Sequence, residues 1–111
     1  MLANNNHFAD IALVANQLAK LSGKLSFATV PGLRIKGDQL LDKQHQLVFD
    51  FNDVVCQDSS VLALLTAWAR KARAQHKHIS FINLPQQLID IAKASGLDRV
   101  LPIDGNSANS I

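Results

Sequence analysis

The hydrophobic pattern of this chain changes period sharply at Asp58. Before it, Leu47-Val48-Phe49-Asp50-Phe51 is apolar at nearly every position, as a strand covered on both faces would be. After it, Val61, Leu62, Leu65, Trp68, Ala69 and Ala72 recur three and four apart, while Thr66, Arg70, Arg73 and Lys77 fall on the opposite side. The first run predicts a strand over Gln46–Phe51 and the second a helix over Ser59–Gln75, joined by a short loop. Asp58, Ser59 and Ser60 stand at the join. A helix leaves its first amide protons unpaired there and carries partial positive charge. Such a corner can hold an anion or present a hydroxyl to a partner.

The flanking segments extend the alternation. Ile11–Ala15 and Gln17–Ser22 read as two short strands around a tight turn at Asn16-Gln17. Pro31 suits the first turn of a helix between Ser26 and Gln44, which Gly32 and Gly37 are expected to shorten or break. His78–Leu84 reads as a strand ended by Pro85, and Gln86–Ser95 as a helix with Gly96 as its left-handed cap. Asp98–Ile103 supplies a last short strand. The first two strands are too close for a crossover and must pair as a hairpin, whereas strands alternating with helices after residue 46 pair in parallel. The expected fold is α/β, a mixed four- to five-stranded sheet with helices packed on it. One domain spans residues 9–103, with flexible ends at 1–8 and 104–111.

Composition narrows the function classes. A chain of 111 residues with 48% hydrophobic residues can bury one core. Its formal net charge is +2 and all nine acidic residues are Asp, a balance that does not imply nucleic acid. Arg70, Lys71, Arg73 and Lys77 give the second half its basic excess, which suits either an anionic partner or a solvated helix face. Cys56 is the single cysteine, so no internal disulfide can form and a reducing compartment is expected. No apolar run approaches the ~20 residues that cross a bilayer, and the start resembles no secretory signal, so a cytoplasmic protein without direct membrane insertion is expected.

The residues from Val48-Phe49-Asp50-Phe51 through Asp58-Ser59-Ser60-Val61-Leu62-Ala63-Leu64-Leu65, with Ile79-Ser80-Phe81-Ile82-Asn83 and Ile91-Ala92-Lys93-Ala94-Ser95-Gly96-Leu97, resemble the STAS domain family. That family includes anti-sigma-factor antagonists and the MlaB-type subunits of the bacterial phospholipid-transporting ABC system. Gly23 also falls where the family often has a glycine in its second strand. The resemblance implies a non-enzymatic interaction domain with a functional Ser or Thr at the start of the second helix. The phosphorylated serine of the antagonists matches Ser60, and the functional threonine of MlaB-type subunits matches Ser59. The family pattern usually has Gly after the Asp-Ser-Ser triplet, where this chain has Val61.

The expected partner is therefore the cytoplasmic ATPase subunit of an ABC transporter that maintains outer-membrane lipid asymmetry and, through it, the inner-membrane permease complex. The docking surface is expected at Asp58, Ser59, Ser60 and Val61, anchored from within by Leu62 and Leu65, with Ser59 and Ser60 as possible phosphorylation sites. The alternative is an anti-sigma-factor antagonist regulated by a serine kinase. A reading of another class is a small enzyme or ligand-binding domain using the corner as an anion pocket. Nothing else in the sequence supports catalysis, a metal or a cofactor. His7, His45, His76 and His78 are scattered, no glycine-rich phosphate loop occurs, and Ser59 has no His or Lys spaced to activate it.

Overall fold

The computed structural model describes residues 8–104; the expectations for 1–7 and 105–111 lie outside the described residues. The elements are β1 (Ala9–Ala15), β2 (Leu18–Leu25), α1 (Val30–Lys43), β3 (Gln46–Cys56), α2 (Ser60–Ala74), β4 (His78–Ile82) and α3 (Gln86–Ala94), followed by a 3-10 turn at Leu97–Arg99. The strands lie in the order β1-β2-β3-β4. β1 and β2 form the expected hairpin, and β2–β3 and β3–β4 are parallel.

Sequential parallel strands joined by right-handed crossovers place α1 and α2 on the same face of the sheet. Burial follows that rule. Ala19, Leu21 and Leu25 of β2, Leu47, Phe49 and Phe51 of β3, and Phe81 of β4 are fully buried under the helices. Lys20 and Asp53, which project to the other face, form a half-exposed ion pair at 3.0 Å. Among the described residues β3 is thus covered on one face only, contrary to the reading of its continuous apolar run. Val48 is half-buried on the open side, and Asp50 there accepts from Asn83 Nδ2 at 2.9 Å.

Trp68 is the centre of the helical layer. Its ring stacks on Phe49 with centroids 4.3 Å apart and planes 7° from parallel, and Phe81 packs against both Phe49 and Phe51. The indole Nε1–H donates to the Arg34 carbonyl at 3.4 Å, so the only polar atom of the ring is paired. α1 crosses directly over this ring at Gly37, where a Cβ would stand 2.2 Å from Trp68 Cζ2. Gly37 therefore does not break α1, which runs unbroken for 14 residues with Pro31 in its first turn. The missing side chain lets the helix backbone lie against the indole. Gly23 meets a different need, since its φ is +96° and a Cβ would lie 2.3 Å from the Phe8 carbonyl oxygen.

Several boundaries depart from the sequence reading; β2, for one, runs to Leu25 rather than ending at Ser22. β3 continues beyond Phe51 to Cys56, because its register against β2 shifts between Lys20↔Asp50 and Ser22↔Asp53. One extra residue of β3 is absorbed in that bulge, and Val54 and Cys56 turn back toward the core. The expected strand over Asp98–Ile103 is instead the 3-10 turn followed by a single bridge, Ile103 to Phe81, so the sheet has four strands among the described residues. Pro102 has no N–H to donate, and its carbonyl accepts from Phe81 at 2.9 Å. Phe8 and Asp104, assigned to the flexible ends, are tied to the sheet: Phe8 O accepts from Lys24 N at 3.1 Å, and Asp104 N donates to Phe81 O at 2.8 Å.

The Gly37–Trp68 contact makes a direct prediction. Gly37→Ala raises intrinsic helix propensity but drives a methyl into the indole, and should destabilise the fold by about 1–3 kcal/mol in urea denaturation. Gly32→Ala, with open space at its Cβ position, should be neutral or stabilising.

The Asp-Ser-Ser corner as a candidate docking site

Parallel strands end on the same edge of the sheet, so the β2–α1 and β3–α2 loops are neighbours. Asp58 joins them. Its Oδ1 accepts from the backbone N–H of Ser60 at 2.9 Å and from the Ser60 hydroxyl, while Oδ2 accepts from the backbone N–H of Phe27 at 3.1 Å. The β2–α1 loop is itself held by Thr29, whose hydroxyl donates to the Lys24 carbonyl at 2.8 Å and accepts from Ser26 N at 3.0 Å. These three donors, the Ser60 hydroxyl foremost, hold the Asp58 carboxyl below the ordinary carboxylate value.

The two serines differ. Ser59 occupies the N-cap position of α2 but its side chain makes no cap hydrogen bond. Asp58, one residue earlier, satisfies the first-turn amide instead. Ser59 is exposed with an uncommitted hydroxyl, whereas Ser60 is half-buried with its hydroxyl given to Asp58.

Val61 requires a correction. Expected on the docking surface, it is fully buried in the core beside Leu64, Leu65 and Trp68. A helix turns about 100° per residue, so the side chain following an outward Ser59 and an edge-facing Ser60 points under the helix. Val61 shapes the corner from beneath, as do Leu62 and Leu65.

The corner opens into a groove of about 310 Å³ lined by Val54, Val55, Cys56, Asp58, Ser59, Leu88 and Ile91, among others. Sequence reasoning missed it because the expected strand stops at Phe51, short of the three β3 residues that line the groove. Leu88, Ile89 and Ala92 are buried, but Ile91 is 37% exposed and Val55 57%. Cys56 lies in this groove with its thiol pushed up to about 11 by burial and, secondarily, by the Asp58 charge. It is a poor nucleophile at neutral pH.

Other sequence candidates are dispersed. Arg70 and Arg73 are exposed on α2, but the Lys77 ammonium donates to the Leu41 carbonyl near the end of α1, and Lys71 pairs with Asp42 at 3.0 Å. His45 and His78 meet edge to face at 6.2 Å, and among the described residues no three His, Cys or acidic groups converge as metal ligands. No helix of the described residues is long and apolar enough to cross a membrane.

A family model described as "Mlab, STAS domain" matches residues 10–102. The chain belongs to this STAS domain family. A chain of the Acinetobacter MlaFEDB complex in an ATP-bound conformation is 27% identical, over 79% of this chain and 94% of that one, with a TM-score of 0.69. The fold also matches the unphosphorylated anti-sigma factor antagonist SpoIIAA at 16% identity, covering 93% of this chain and 95% of that one with a TM-score of 0.66. An anti-sigma factor antagonist from Mycobacterium paratuberculosis is 19% identical, covering 91% and 93% with a TM-score of 0.70. A comparison with curated proteins finds no match. The four-stranded mixed sheet with three helices is the STAS fold of SpoIIAA.

The geometry of Asp58 sets a stability test. A carboxyl whose folded pKa lies below its unfolded value of about 3.8 contributes stability that is present above that value and lost as pH falls through the folded pKa. Asp58→Ala should lower the thermal midpoint at pH 7, Asp58→Asn should lower it less because its amide oxygen still accepts, and the difference from wild type should shrink below about pH 4. Thermal unfolding followed by circular dichroism across pH 3–7 measures it.

Proposed function

We propose that this STAS domain is a non-enzymatic accessory subunit that binds the cytoplasmic ATPase of an ABC phospholipid transporter, supporting assembly and activity of a complex that maintains outer-membrane lipid asymmetry. In this reading it reaches the inner membrane only through that complex. The docking unit is residues 9–103, and the docking surface is Asp58, Ser59 and Ser60, with Val61 beneath it. Two findings support it: the family match across residues 10–102, and the likeness to a chain of an ATP-bound MlaFEDB complex.

One geometric observation favours this reading over an anti-sigma-factor antagonist. The available hydroxyl is that of Ser59, the position matching the functional threonine of MlaB-type subunits. Ser60, which matches the phosphorylated serine of the antagonists, has its hydroxyl donated to Asp58. A phosphate of about −1.5 to −2 charges on Ser60 would displace that hydrogen bond and face the Asp58 carboxylate.

Capture of the purified ATPase subunit, measured by surface plasmon resonance, tests the surface. Ser59→Glu should weaken binding at least about tenfold while leaving the unfolding midpoint near that of wild type, because the new charge enters an interface rather than the core. Ser60→Glu should lower the midpoint as well. Equal affinity of both variants and wild type would remove the corner from the interface. Phosphotransfer to Ser60 from a serine-kinase anti-sigma factor, with no capture of the ATPase, would establish the antagonist reading instead.

A further inference from the structure

The groove beside the corner exists because β3 outruns β4. Pairing between them ends at Asp50↔Ile82, after which Asn83 takes a left-handed conformation (φ 59°) and the chain turns away through Pro85 into α3. The Asp50 carboxylate closes the ladder there, with Oδ1 accepting from Asn52 N and from Asn83 Nδ2, each at 2.9 Å. β3 continues to Cys56 with β2 as its only strand neighbour among the described residues.

The direction of the main-chain groups left without a strand neighbour among the described residues follows from one hydrogen bond. Gln57 N–H donates to Leu25 O at 2.9 Å, toward β2. Main-chain groups of a strand alternate sides with a period of two, so Val55 also addresses β2, while Val54 and Cys56 turn their N–H and C=O groups to the opposite side. That side is the groove. It therefore presents two residues' worth of backbone donors and acceptors in strand spacing, above a wall formed by Leu88 and Ile91 of α3.

From this we infer that the groove receives an extended segment of the partner protein, added as a strand beside Val54–Cys56 in the line that β4 vacates, with an apolar side chain seated against Val54, Leu88 and Ile91. The inference rests on the docking function proposed above and specifies its chemistry. An open strand edge is complementary to another strand. Its side-chain pocket is uncharged apart from Asp58 at the rim, so the seated residue is apolar rather than acidic. Asp58 and Ser59 line the same groove, which makes it continuous with the corner and directs the segment to the same partner.

Hydrogen exchange, read by NMR on the full-length chain with and without the purified ATPase subunit, tests it. Strand addition should slow exchange of the Val54 and Cys56 amides by about tenfold or more. Ile91→Glu, a change at a partly exposed position that leaves the core intact, should weaken ATPase capture by about tenfold. Capture with both amides exchanging as in the free chain, and with Ile91→Glu binding like wild type, would overturn the groove assignment while leaving docking at the corner standing. Absence of any ATPase capture by wild type would overturn the docking function itself. If wild type self-associates in sedimentation velocity and Ile91→Glu abolishes that self-association without changing ATPase capture, the occupant is a second copy and the inference fails.

Discussion

The helical layer depends on the stack of Trp68 on Phe49. A strand residue and a helix residue meet face to face at 4.3 Å, fixing the height and rotation of α2 above β3. α1 then comes close enough to lie over the indole only because position 37 has no side chain. Once α2 is held in that rotation, Val61 and Leu65 face inward and Ser59 faces water. The chemistry of the corner thus descends from packing about two and a half helical turns away.

At the corner itself, a single carboxylate does what two loops would otherwise do separately. Asp58 accepts three hydrogen bonds, two from the turn it begins and one from the neighbouring β2–α1 loop. The interactions at this edge are polar and local, in contrast to the apolar layer below it, where no charged or polar side chain is buried among the described residues. The same division explains why two adjacent serines have different fates: one completes the coordination of Asp58, and the other is left for the exterior.

Much of this was legible in the sequence wherever periodicity was strong. α2, β4 and α3 lie within two residues of where their hydrophobic spacing put them, and Gly96 caps α3 in the left-handed conformation, with φ 75°. The hairpin followed from two strands too close for any crossover. What escaped were features set by contacts distant in sequence. Asn52-Asp53 has the composition of a turn, but pairing with β2 holds it in a bulged strand. Gly37 has the composition of a helix breaker, but Trp68, 31 residues later, gives it a packing role. Adjacency to the serines puts Val61 on the surface, but the helical rotation carries it into the core. The open sheet face contradicted the continuous apolar run of β3, since strand order, which no local pattern encodes, decides which face helices can reach.

The order of the strands also governs how the chain reaches this structure. Only β1 and β2 are joined by a short loop, Asn16-Gln17, and can zip together locally. Every remaining strand pair must first close a crossover, across residues 26–45 and then 57–77, before any ladder hydrogen bond rewards it. The hairpin is the strand pair with the smallest loop-closure cost, and β3, paired on both sides, is the strand that both crossovers have to bring in. Until it arrives, the inner face of the hairpin stays wet, and the parallel half of the sheet has no template on which to grow.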